Sequence, residues 1–166
     1  MTLPSVDVFI GLFFLVGIGY GFILRRDKAI TTLCSVYIGL VVASSFSETV
    51  YSFFNGNTMI ANQIWIRSNA SIQTISIVLF LLCIFFISGA INSSSNRSGD
   101  ISPLEVIVYS GLTMALIISS ILSFLIPESR AHYVEVSKSA QFLVNYRALI
   151  IIAAPLLLVV LNMRRK

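Results

Sequence analysis

What this chain has least of is charge. Asp, Glu, Lys and Arg make up 11% of its 166 residues, against about 25% in ordinary soluble domains. So few charges cannot cover a water-facing surface, which excludes an ordinary soluble fold. Histidine occurs once, at His132, and cysteine twice, at Cys34 and Cys83. A lone imidazole with only Glu128 at helical spacing makes no metal site. The two cysteines lie in separate apolar runs and read as small packing residues; a disulfide would need both at one depth on adjacent helices. No Gly-rich phosphate loop follows a strand, and Ser137 and Ser139 form no nucleophile motif. Neither an enzyme nor a resident cofactor is expected. The net charge of +4 does not signal nucleic acid either, because the 11 Lys and Arg sit in short groups and form no basic face.

What is there is long uncharged sequence. The chain is 57% hydrophobic with a mean hydropathy of +0.92. Uncharged windows run from Asp7 to Arg25 (17 residues), Lys28 to Glu48 (19), Arg67 to Arg97 (29), Glu105 to Glu128 (22) and Arg147 to Arg164 (16). A membrane helix needs about 20 mainly apolar residues, within roughly 17–25. Only helices satisfy their own backbone within one segment in lipid. The run from Ile75 to Ile91 is apolar all round, as a lipid-embedded helix is. The expected fold is an all-α polytopic membrane bundle in one domain, 1–166. Its partner is the lipid bilayer.

The expected helices are about 8–24, 29–46, 72–91 and 104–126. Arg25-Arg26-Asp27-Lys28 forms a four-residue connection, so the first two helices make a tight antiparallel hairpin. Ser47 to Ser71 reads as an interfacial segment broken at Asn55-Gly56-Asn57, with Tyr51 and Trp65 in the aromatic belt. Residues 92–102 read as a polar loop, and Pro127 stops the fourth helix. The polar stretch 128–147 allows a short amphipathic helix. The last apolar run, 148–161, is only 14 residues long and contains Pro155; a fifth span competes there with an interfacial or re-entrant segment. Residues 1–6 carry no Lys or Arg, so the first window reads as a retained helix and not as a cleaved signal. Five spans with the N-terminus outside put seven positive charges inside and four outside. Four spans with the N-terminus inside score the same, and the basic RRDK connection favours the first arrangement.

Inside these windows there is no Asp, Glu, Lys, Arg or His. Proton relays and ion-coupled pumps need such groups at depth. Asp7 stands at a helix N-terminus, where the dipole favours it, and is also the candidate for a functional contact. Gly17 and Gly21 share a face of the first helix, and Ser35, Gly39 and Ala43 form a strip at the same spacing on the second. Small residues at i and i+4 let backbones approach closely. The two strips read as partners within the hairpin, with homodimerisation through one of them as the alternative.

These residues also resemble a known family. Asp7 heads the first helix, Gly17-Ile-Gly-Tyr-Gly21-Phe22 closes it, RRDK follows, and Gly39 and Ala43 mark the second helix. With the apolar third helix, Gly111 in the fourth and the ending Leu125 to Pro127, this is similar to the colicin V production protein (CvpA) family over residues 5–130. The resemblance implies a bacterial inner-membrane protein serving toxin production, export or envelope homeostasis through helix packing with itself or other membrane proteins. It supplies no catalytic residues. The alternative is a subunit of an oligomeric channel or transporter, for which Ser110, Thr113, Ser119, Ser120 and Ser123 offer a polar stripe.

Overall fold

The computed structural model describes residues 5–54, 71–91 and 103–163, without the side chains of 24–26 and 161–163. Its elements are α1 (Val6–Phe54), α2 (Ile72–Ala90), α3 (Pro103–Phe124), α4 (Pro127–Val136), α5 (Lys138–Asn145) and α6 (Arg147–Met163). The chain is an all-α membrane helical bundle. Four stretches are long and apolar enough to cross a bilayer: the α1 limbs Val6–Ile23 and Asp27–Phe54, then α2 and α3. The readings placed on Asn55-Gly56-Asn57, Trp65 and the loop 92–102 lie outside the described residues.

All 49 residues of α1 are helical, so the RRDK connection contains no loop residue. Yet α1 is not straight. Gly17 and Gly21 line the same small pocket as Ala29 and Thr32, against Ser110, Thr113 and Met114 of α3. A straight helix would hold Gly17 about 22 Å from Thr32. The chain therefore reverses between Gly21 and Ala29. The first limb runs antiparallel to α3, with Gly21 beside Ser110, Gly17 beside Met114 and Ile10 clustered with Leu122. The second limb runs parallel to α3. Ala29 and Thr32 lie level with Ser110 and Thr113, and further along Phe80 bridges Gly39 to Phe124.

This register corrects the pairing of the small strips. Gly17 and Gly21 face α3, while Gly39 faces Phe80 and Ile84 of α2. Ser35 and Ala43 are fully buried, Ala43 in a core cluster with Leu33, Phe80, Tyr109 and Leu116. The reason is α3, which packs against both limbs: 56% of its span is buried, against 11% of α2. Among the described residues, Gly111 makes no close helix contact within the chain. No atom stands within 4 Å of where its Cβ would be, and its neighbour Ser110 makes the contact to α1 instead.

The second limb also continues past Phe46 to Phe54. At 28 residues it measures about 42 Å, more than the roughly 30 Å hydrocarbon core. About 12 Å of it must therefore extend beyond the hydrocarbon. Beyond α3, Pro127 has no N–H to continue the helix and instead opens α4. The polar stretch resolves into two short helices broken at Ser137. The axis then bends by 66° between α5 and α6, and the pair together is long and apolar enough for a broken span or a re-entrant loop. At 17 residues, α6 is longer than the expected 148–161, and it runs through Pro155.

Candidate functional site

The broken region α4–α6 is where long-range polar contacts gather. Asp7, at the start of α1, reaches across to the α4–α5 break. Its Oδ1 accepts the Ser137 hydroxyl at 2.8 Å and the Ser139 N–H at 3.0 Å. Ser137 is the N-cap of α5, and its Oγ accepts the Ala140 N–H at 3.0 Å. Two of the unpaired N–H groups that open α5 are thereby satisfied, one by a hydroxyl and one by a carboxylate. The carboxylate also sits in the first turn of α1, so it meets the positive ends of two helices. This geometry fixes a break. Asp7→Ala should speed amide exchange at Ser139 and Ala140 by about tenfold or more, because the two bonds at Oδ1 hold that turn closed. Unchanged exchange there would show that Asp7 does not hold the break.

Deeper in the chain, Ser119 Oγ donates to the Leu143 carbonyl at 3.2 Å. Leu143 lies in the last turn of α5, where carbonyls lose their helical donors. Tyr37 of the second α1 limb donates its hydroxyl to the Ile151 carbonyl at 2.6 Å. In an unbroken helix that carbonyl would receive the N–H of residue 155, but residue 155 is proline and has none. Tyr37 supplies the missing donor. At the opposite end of the bundle, Lys28 Nζ donates to the Ser88 carbonyl and, at 3.1 Å, to that of Ile91. A cation there caps α2 where its last carbonyls are unpaired. Thr32 Oγ1 and Ser88 Oγ pair at 3.2 Å beside it.

The hydroxyl stripe on α3 faces inward. Ser110, Thr113, Ser119 and Ser120 are buried. Ser110 and Thr113 each donate to the carbonyl four residues earlier, at 2.7 Å, which is how membrane helices commonly accommodate hydroxyls. The Ser120 Oγ and Tyr109 hydroxyl are buried without a hydrogen-bond partner. His132 is exposed on α4, with its ring 6.0 Å from that of Tyr133. Cys34 is exposed and Cys83 half-buried, and both are free thiols. Among the described residues, no three His, Cys, Asp or Glu side chains gather as metal ligands would.

Sequence singles out Asp7 but gives no sign of its partners, 130 and 132 residues away. Tyr37 carries no motif, while Ser119 stands in the polar stripe and Lys28 in the RRDK connection, and neither pattern names the carbonyl its side chain meets. One signal was present: Pro155 in an apolar run leaves a carbonyl in need of a donor, though nothing in the spacing names Tyr37. Compared with protein-family models, curated proteins and solved structures, the chain matches none of them.

Proposed function

We propose that this protein is a non-enzymatic membrane scaffold that acts by packing against copies of itself or other membrane proteins. One observation supports this above the rest: the polar side chains that reach between distant elements hold helix ends and breaks. Asp7, Ser119 and Tyr37 hold α5 and α6, and Lys28 holds α2. What faces outward is apolar, including Val78, Leu81, Leu82, Phe85 and Phe86 along α2. Such a surface suits lipid and other membrane helices. The resemblance to the colicin V production protein family supports a place in a bacterial inner membrane, with a role in toxin production, export or envelope homeostasis. The N-terminus then lies outside and the basic connection in the cytoplasm.

Crosslinking in intact membranes with a photoreactive residue at Phe85 tests the scaffold reading. Adducts to a second copy or to another integral membrane protein are expected, together with no solute flux through reconstituted liposomes. Adducts to lipid alone, or a measurable leak, would contradict it. The channel alternative draws on the buried hydroxyls of α3, and the same flux measurement decides it.

A further inference from the structure

α3 sets the scale of depth in the bundle. Its 22 residues measure about 33 Å, close to the roughly 30 Å hydrocarbon core. The first limb of α1 passes it in the opposite direction, with Gly21 beside Ser110 and Gly17 beside Met114. The same step carried onward sets Asp7 level with Phe124, the last residue of α3. α5 therefore starts at the membrane edge, where Asp7 holds Ser137 and Ser139. It ends well inside. The Leu143 carbonyl meets Ser119, five residues before Phe124 and so about 7.5 Å below that edge. One leaflet's hydrocarbon is only about 15 Å thick. Over this depth α5 turns polar side chains outward. Ala140 and Leu143 are buried, while Lys138, Gln141 and Asn145 are exposed, and half-buried Arg147 follows. On the first limb the outward face at comparable depth is apolar: Leu15, level with Leu116 in the same register, is exposed.

We infer that the bilayer is locally thinned against α5, with phospholipid headgroups and their water drawn down its polar face from Lys138 towards Asn145. The polarity of that face chooses the occupant. A membrane helix of a second copy would bring apolar side chains to it, and lipid tails would leave the Gln141 and Asn145 amides without hydrogen-bond partners. Headgroups and water supply those partners, and an amphipathic helix seats itself at the boundary between them and the tails. The face is also continuous with the headgroup layer, since α4 before it exposes Glu128, His132 and Glu135. An apolar surface shorter than its bilayer is met by thinning of this kind.

Fluorescence quenching tests this in the full chain, in a Cys34→Ser, Cys83→Ser background. An environment-sensitive fluorophore is attached through Gln141→Cys, Asn145→Cys or, for comparison, Leu15→Cys. In dioleoylphosphatidylcholine vesicles the quenchers are a nitroxide on the lipid headgroup, a nitroxide at mid-chain and aqueous iodide. At Gln141 and Asn145 the headgroup nitroxide and iodide should each quench more than the mid-chain nitroxide. At Leu15 the order should reverse. Stronger mid-chain quenching at Asn145 would put lipid tails there and overturn the thinning. Protection from all three quenchers would show that protein covers the face, and quenching by iodide alone would show a water-filled crevice without headgroups; either result overturns it as well. If Asn145→Cys, beside the bend, fails to fold, Gln141→Cys decides by the same order of quenchers.

Discussion

Tyr37→Phe should destabilise the bundle by about 1–2 kcal/mol, because it strands a carbonyl in an apolar setting. The removed atom is the hydroxyl that donates to Ile151 at 2.6 Å. The phenyl ring keeps its packing, so the loss isolates the hydrogen bond. The need for that donor comes from Pro155, and the account therefore makes a second, stricter demand. Pro155→Ala restores the backbone N–H that should reach Ile151 from within α6. In that background Tyr37→Phe should cost less than about 0.5 kcal/mol, which is the coupling a shared carbonyl produces. Denaturant titration of the four proteins in mixed micelles measures the cycle. Additive effects would show that Tyr37 and Pro155 act independently.

Glycine substitutions along α1 should divide sharply by what each new Cβ meets. At Gly21 it would stand 2.7 Å from the Cβ of Ser110, an atom fixed to the α3 backbone. Helix must move from helix, and Gly21→Ala should cost about 1–3 kcal/mol as overpacking does. At Gly17 the obstruction is the Met114 side chain, which can adopt another rotamer. Gly17→Ala should therefore be milder. Gly111→Ala, in open space, should be neutral or slightly stabilising through helix propensity. Ser110→Gly should rescue Gly21→Ala, since it deletes the atom in the way. Thermal unfolding in detergent ranks the set. Equal effects at Gly21 and Gly111 would contradict the register of α1 on α3.

The spacing of charges made the membrane helices legible, because length and hydropathy are local properties that water and lipid read directly. The same spacing could not give partners. Gly17, Gly21 and Gly39 advertise close approach, but a small residue welcomes any neighbour, and α3 took the place assigned to the second limb. Polarity places the end at Phe46, whereas the helix continues to Phe54 because nothing in Ser47 to Phe54 terminates it. Polarity and helicity diverge where a helix leaves the hydrocarbon. Least legible was the site itself. The Asp7 contact with Ser137 depends on where α4 and the break after it are carried beyond Pro127, a tertiary matter with no local periodic trace.

The doubled-back path of α1 is the claim on which the packing of every other element rests. Pulsed electron resonance between spin labels at Val8 and Val41, both exposed, measures it directly in liposomes. A reversal beside α3 predicts a separation below about 30 Å, two to three helix diameters and linkers included. A single extended helix of the same residues would instead place them about 50 Å apart, and that distance would contradict the fold described above.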